Sequence, residues 1–393
     1  MVSETTLLFA INLFVIALCG GLFLLMPRLT RKSYLFGVNI PPEQSNCAEA
    51  KAMKKRYTLT CLLGVLVILI VCMAQFITRR EATLITTMYL PLLIIPIGLA
   101  AFVPNWKKAL QLKGERGWQV ANASFKEMSV SHTRGNLSAL PWIWYVLSFI
   151  ITVAIFVIAI TRFPALPDMV AIQLDASLQP TRWVEKTWWS VLTMPAVTAA
   201  TLALMILVAV MIEKAKLQID QDKPRLSFAQ HRVYRKRLGH ALGFLTLIII
   251  LFMAILWLPF VFQDLSIWGT QIFWCSMVLI FIAVMVLLLV QFKTGQGGCK
   301  VKIDVDEDTE DNNISSSTKS NIPGYSGIND VGSDKYWILG MFYFNPDDPA
   351  YIVEDRFGTN IGFNYARLPV KIGVAILLLG LIALYVWLTK LIW

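Results

Sequence analysis

Eight stretches of eighteen or more predominantly apolar residues run along the chain: Leu7–Met26, Leu59–Ile77, Leu84–Val103, Trp142–Thr161, Trp189–Ile212, Ala241–Phe262, Trp268–Phe292 and Val370–Leu388. Each matches the roughly 20 residues that a helix needs to cross a hydrocarbon core about 30 Å thick. None shows the alternation of a barrel strand, and in lipid every backbone N–H and C=O must be satisfied within its own segment, so the runs predict helices. The rest of the composition agrees: the chain is 56% hydrophobic and 15% charged, with a mean hydropathy of +0.62, too apolar for a water-facing surface. The expected fold is an all-α polytopic membrane protein of about eight transmembrane helices.

Charge sets the expected topology. The first run is preceded by MVSETT and followed by PRLTRK, the reverse of a secretory signal, so it reads as an uncleaved helix with its amino terminus outside. Lys and Arg then alternate between loops: seven in 27–58, six in 104–141, eight in 213–240 and seven in 293–369, against two in 78–83, three in 162–188 and none in 263–267. By the positive-inside rule the rich segments are cytoplasmic and both termini are external. The same distribution explains the formal net charge of +10 through topology and contact with anionic lipid rather than nucleic acid. Gly239 and Gly243, a G-x-x-x-G spacing, predict close packing within the bundle first and a dimer contact second.

Chemistry is sparse. The spans hold Asn12, Gln75 and Gln271 as their larger polar groups, with no paired carboxylates and no metalloprotease, nucleophile-elbow or phosphate-loop motif. The six cysteines have no CxxC spacing, and His132, His231 and His240 are scattered in or beside basic loops, where a solvated role is expected. No metal or cofactor is expected. Pro91, Pro96, Pro195 and Pro259 interrupt spans, which leaves a transporter open as an alternative.

Three segments stand apart from the spans. Phe163–Lys186 is a proline-framed connector whose VAIQLDASLQP has strand character. Asp304–Gly332 is acidic and rich in Ser and Asn, the composition of a linker. Asp334–Arg367 carries two apolar and aromatic runs around NPDDP, predicting a β-hairpin with Asn345, Pro346, Asp347 and Asp348 at its bend. That stretch is too short to bury its apolar surface alone, so it is expected to pack on other cytoplasmic loops, to lie at the membrane interface or to hold a partner. The expected division is 1–162 for four spans and their basic loops, 163–188 for an external loop, 189–292 for three spans, 293–333 for the linker, 334–369 for the cytoplasmic element and 370–393 for the last span.

Phe163–Lys186 resembles the family of domain of unknown function 1648 (DUF1648), bacterial membrane proteins that include immunity proteins against a sporulation-delay killing toxin. Leu166 and Pro167 match the opening of the family pattern, Ala176 and Pro180 its small-residue and proline positions, and Trp183 and Lys186 its close. Asp175 stands where Asn is usual, and Gln173, Leu178 and Thr181 replace the typical His, Gly and Asp. Asp334–Arg367 is similar to the family of domain of unknown function 5808, through Tyr336, Trp337, Asn345, Pro346, Asp347, Asp348, Arg356, Phe357 and Arg367 among others. FGVNIPPE, Phe36–Glu43, looks like a segment seen in such proteins.

The resemblances imply a multi-pass protein of the bacterial plasma membrane. The favoured function is a non-enzymatic immunity or sensor protein that recognises an extracellular membrane-active peptide or envelope ligand, with Asp175, Arg182, Trp183 and Lys186 as candidate contacts. Its partners would be the lipid bilayer, an extracellular peptide and a cytoplasmic or membrane protein. An enzyme of envelope metabolism or an intramembrane protease, using Asp347, Asp348, Glu354, Asp355 and Arg356, ranks third.

Overall fold

A computed structural model describes residues 4–78, 89–118, 140–174, 180–217, 224–262, 269–303, 333–357 and 361–392. Asp175, His132, the acidic stretch 304–332 and most of the two short loops at 78–83 and 263–267 lie outside them. The long helices are α1 (Glu4–Leu29), α2 (Ala48–Thr78), α3 (Ile94–Glu115), α4 (Trp142–Arg162), α5 (Trp188–Lys214), α6 (Pro224–Val261), α7 (Gly269–Thr294) and α8 (Leu368–Ile392). Seven spans among the described residues are long and apolar enough to cross a bilayer. The eighth run lies on α8, where Leu368–Gly380 forms a shorter apolar helical stretch. The chain is therefore an all-α polytopic membrane protein. Its helices show large apolar side chains outward, such as Ile70, Phe149 and Leu204, as lipid-facing surfaces do.

α2 packs on α1 and α3, while α6 packs on α4, α5 and α7. Small residues permit the close approaches. A Cβ on Gly243 would lie 2.6 Å from the Trp144 ring, so this half of the G-x-x-x-G pair serves packing of α4 on α6 within the chain.

Several helices are longer than their apolar runs, all toward one end of the molecule. α2 begins at Ala48 and buries Ala50, Met53 and Tyr57. α6 begins at Pro224 and buries Ser227, His231, Tyr234 and Leu238, a 3.6-residue stripe. Hydropathy ended the third span at Val103, but α3 continues to Glu115, because Asn105, Ala109 and Leu112 are buried there. At 38 residues, α6 is about 57 Å long, nearly twice a hydrocarbon core.

Short antiparallel strand pairs complete the structure: β1 (Tyr34–Leu35) with β2 (Val38–Asn39), β3 (Met169–Leu174) with β4 (Pro180–Glu185), β5 (Trp337–Ile338) with β6 (Phe342–Tyr343), and β7 (Ile352–Glu354) with β8 (Ile361–Phe363). The expected bend at Asn345–Asp348 is corrected here. The β5–β6 hairpin turns earlier, at Leu339 and Gly340, which take φ of 54° and 70°, and NPDDP joins two hairpins instead of closing one. NPDDP is held by side chains: Asn345 Oδ1 accepts from the Asp347 N–H at 2.9 Å, and Asp348 Oδ1 from the Ala350 N–H at 3.0 Å.

Candidate functional site

The β3–β4 hairpin leaves the carboxyl end of α4 and enters the amino end of α5. Its base is clamped. Phe163 and Trp188 stack at 3.8 Å with planes 8° apart, and the Lys186 ammonium donates to the Leu166 carbonyl at 2.7 Å while lying 5.7 Å from the Phe163 ring. Thr187 and Ser190 form a reciprocal capping box, with Ser190 N–H to Thr187 Oγ1 at 3.1 Å and Thr187 N–H to Ser190 Oγ at 3.0 Å, which satisfies donors at the start of α5. Leu166 and Val170 are buried among Ile155, Val191, Trp257 and Val261.

Above this base, strand pairing sets Ala171 opposite Trp183 and Gln173 opposite Arg182, with register shifts around Gln173. Arg182 is exposed and Trp183 is half-exposed. Trp188 and Trp189 are exposed at the base, Trp189 at 85%. Of the four contacts expected from sequence, Arg182 and Trp183 thus face outward, Lys186 holds the hairpin base, and Asp175 lies outside the described residues.

At the carboxyl end of α5, and so at the other end of the bundle, residues 333–367 meet the other helix extensions. Two buried arginines organise this junction. Arg356 has none of its surface exposed. Its Nη1 donates to the Gly37 carbonyl at 3.0 Å and to Asp334 Oδ1 at 2.5 Å, and its guanidinium lies 4.7 Å from the Trp337 ring and 5.2 Å from that of Tyr34. Asp334 also accepts from the Asn39 N–H at 3.0 Å and from Lys113 Nζ at 2.6 Å, so one carboxylate joins β2, α3 and the carboxyl-terminal segment. Phe357 packs among Phe36, Tyr57 and Phe102.

The second arginine, Arg31, follows α1. Its Nη2 lies 2.9 Å from Glu354 Oε1, and its backbone N–H and Nε donate to the Gln296 side chain at 3.0 Å and the Gln296 carbonyl at 3.2 Å. His231 Nε2 lies 2.9 Å from Glu354 Oε2 and 2.5 Å from Arg31 Nη2. Its Nδ1 lies 2.7 Å from the Ser227 carbonyl, which can only accept, so Nδ1 carries a proton. His231 is 1% exposed, which corrects the expectation of a solvated histidine.

Asp348, 2% exposed, receives Lys216 Nζ at 2.7 Å and the Tyr343 hydroxyl at 2.8 Å. Burial opposes its ionisation, but these donors and the Ala350 N–H outweigh it and hold the carboxyl below its ordinary range. Asn364 and Arg367 donate to the Asp348 carbonyl at 3.0 and 2.8 Å. Asn345 is buried, Asp347 is exposed, and neighbouring Pro346 and Tyr336 lie at the rim.

The junction is tightly filled around Gly297. A Cβ at Gly297 would sit 1.8 Å from Arg31 Nη2 and 2.6 Å from Glu354 Oε1, so charges and backbone fill the space between them. No group of three or more His, Cys, Asp or Glu among the described residues is placed to hold a metal ion. The arrangement is a latch of paired charges. Sequence reasoning did not find Arg31, His231 and Gln296 as its members; the one local signal was TGQGG after α7, where Gly295, Gly297 and Gly298 all take positive φ.

Residues 150–199 match the family model described as a domain of unknown function (DUF1648), a span that covers most of α4, the hairpin and the first turns of α5. No curated protein and no solved structure matches the chain. Fold and match together define a multi-pass membrane protein with a DUF1648 segment built as helix, hairpin and helix.

Proposed function

We propose that this is a non-enzymatic protein of the bacterial plasma membrane in which the β3–β4 hairpin recognises an extracellular membrane-active peptide or envelope ligand, as an immunity or sensor protein. The carrying observation is the pairing of a clamped base with exposed groups on β4: Lys186, Phe163, Trp188 and the capping box fix the hairpin, while Arg182 and Trp183 remain exposed. An exposed cation and an exposed indole at successive positions of β4 suit a ligand that carries acidic or carbonyl groups on an apolar body.

Topology supports the reading. The segments that carry most of the Lys and Arg gather at the latch end, so the positive-inside rule assigns that end to the cytoplasm and the hairpin and both termini to the exterior. The division into an external loop at 163–188, a linker at 293–333 and a cytoplasmic element at 334–369 belongs to the same proposal. So do the likeness to immunity proteins against the sporulation-delay toxin and the likeness of Asp334–Arg367 to the domain of unknown function 5808.

The test is a challenge of a strain lacking the protein with membrane-active peptides, complemented by wild type or by a chain carrying Arg182→Ala and Trp183→Ala, at equal membrane levels. Rescue by wild type and not by the variant is the expected result. Equal rescue by both would remove the hairpin face from the mechanism. No peptide phenotype would end the immunity reading and turn attention to solute flux in proteoliposomes, the transporter alternative.

A further inference from the structure

The β5–β6 hairpin has two apolar faces and only one of them is used inside the protein. Trp337, Tyr343 and Asn345 point inward and are almost wholly buried, whereas Ile338, Phe342 and Phe344 point away and are 53%, 39% and 39% exposed. The alternation is that of a strand pair, but the outer face carries large hydrophobic groups where a water-facing hairpin carries polar ones. Tyr365 extends this face by ring contacts with Phe342 at 5.6 Å and Phe363 at 6.5 Å.

What covers the outer face follows from its neighbour. Lys371 Nζ lies 5.6 Å from the Phe344 ring, and Lys371 is in the first turn of α8. Leu368, Ile372 and Ile376, four residues apart on one stripe of that apolar helix, are 66%, 50% and 65% exposed. The hairpin face is therefore continuous with a helix surface built for lipid, and Arg367 and Lys371 stand where the two meet. Aromatic groups with basic residues beside them, at the end of an apolar helix, are the chemistry of a bilayer's headgroup boundary.

We propose that the Ile338, Phe342 and Phe344 face is a membrane-surface foot, seated in the headgroup and upper acyl region of the leaflet that α8 enters, with Arg367 and Lys371 beside lipid phosphates. The foot holds residues 333–367 against the bilayer from one side while Arg356 and Glu354 hold them to the helix extensions from the other. The proposal does not depend on the hairpin at the opposite end having a ligand.

The test places a single cysteine, at 338, 342, 344 or 347, in full-length protein whose six native cysteines are replaced, labels it with an environment-sensitive fluorophore, and reconstitutes it in phosphatidylethanolamine and phosphatidylglycerol vesicles. Position 347, exposed on the NPDDP turn, is the aqueous control. Quenching by a lipid carrying a headgroup-region nitroxide is expected to be at least about threefold stronger at 338, 342 and 344 than at 347, with the reverse order for an aqueous quencher, as insertion by about 5–10 Å requires. Equal aqueous quenching at all four positions would overturn the proposal. Protection of 338, 342 and 344 from both quenchers would overturn it too, and would assign the face to a second copy if protection fell on dilution into lipid, or to another protein segment if it did not. The unmodified chain supplies an independent reading: a phospholipid with a photoreactive group near its headgroup should label the peptide spanning 338–344 and spare 346–349, and the absence of adducts on 338–344 would sink the foot.

Discussion

A guanidinium with no exposed surface is costly to bury, and Arg356 offsets that cost with a carbonyl and a carboxylate at Nη1 and two aromatic faces. Its neighbour Asp355 is in the opposite situation. Burial pushes the Asp355 carboxyl up to about 7; the Arg356 and Phe357 N–H groups pull the other way and recover only part of the shift, to which the Glu354 charge adds. An acid whose folded pKa lies above its unfolded value binds more protons when folded, so between roughly pH 4 and pH 7 stability falls as pH rises, and the penalty is complete above about pH 7. Asp355→Asn removes the titration. In thermal unfolding of the detergent-purified protein, the variant should be more stable than wild type near pH 8, and its loss of Tm between about pH 5 and pH 8 should be smaller. Parallel pH profiles for the two proteins would show that the carboxyl is ionised without cost where it lies.

Among the elements, the junction depends on two short turns meeting through their backbones. Phe36 and Gly37, at φ of 47° and 77°, turn the β1–β2 hairpin as Leu339 and Gly340 turn β5–β6. A Cβ on Gly37 would lie 2.1 Å from the Gly340 carbonyl oxygen, and one on Gly340 would meet Trp106 and the Phe36 carbonyl. Sequence reading selected FGVNIPPE and the stretch from Tyr336 and Trp337 separately, by resemblance, but had no means of seeing that the turns touch across some three hundred residues. It placed the bend at NPDDP because Asn, Pro and Asp dominate turns, whereas a glycine inside an apolar run gave the tighter reversal. Gly37→Ala should cost roughly 1–2 kcal/mol for the left-handed backbone alone, and more because a backbone atom is in the way. Hydrogen exchange should then rise in 34–40 and in 336–344 together. A rise confined to 34–40 would mean that the turns are merely adjacent.

For the molecule as a whole, hydropathy and charge exposed the bilayer component and little of the rest. The apolar runs located the spans because lipid demands some twenty consecutive apolar residues; KAMKKRY and RVYRKR read as basic helical lead-ins to spans and do lie on α2 and α6, whereas the polar end of α3 was not legible. Of the β3–β4 hairpin, strand character was legible; the role of Lys186 as a clamp was not, since it depends on the Leu166 carbonyl twenty residues earlier. The latch was illegible because its members, at 31, 231, 296 and 354, come from four elements that only the tertiary fold assembles. That assembly makes a whole-molecule prediction. If the paired charges at Arg31 and Glu354, at Lys113 and Asp334 and at Lys216 and Asp348 hold residues 333–367 to the helix extensions, covalent continuity through 304–332 is dispensable for docking. A chain expressed as two pieces split between Lys319 and Ser320 should co-purify from mild detergent. Glu354→Gln with Arg356→Met in the smaller piece should abolish co-purification, because the first leaves Arg31 buried and short of its counter-ion, a loss of about 3–5 kcal/mol at a fully buried pair, and the second removes the donor to the Gly37 carbonyl. Insertion of the smaller piece, checked by resistance to alkaline extraction, separates failed docking from failed expression. Co-purification that survives both substitutions would place the attachment in α8 and the lipid rather than in the latch.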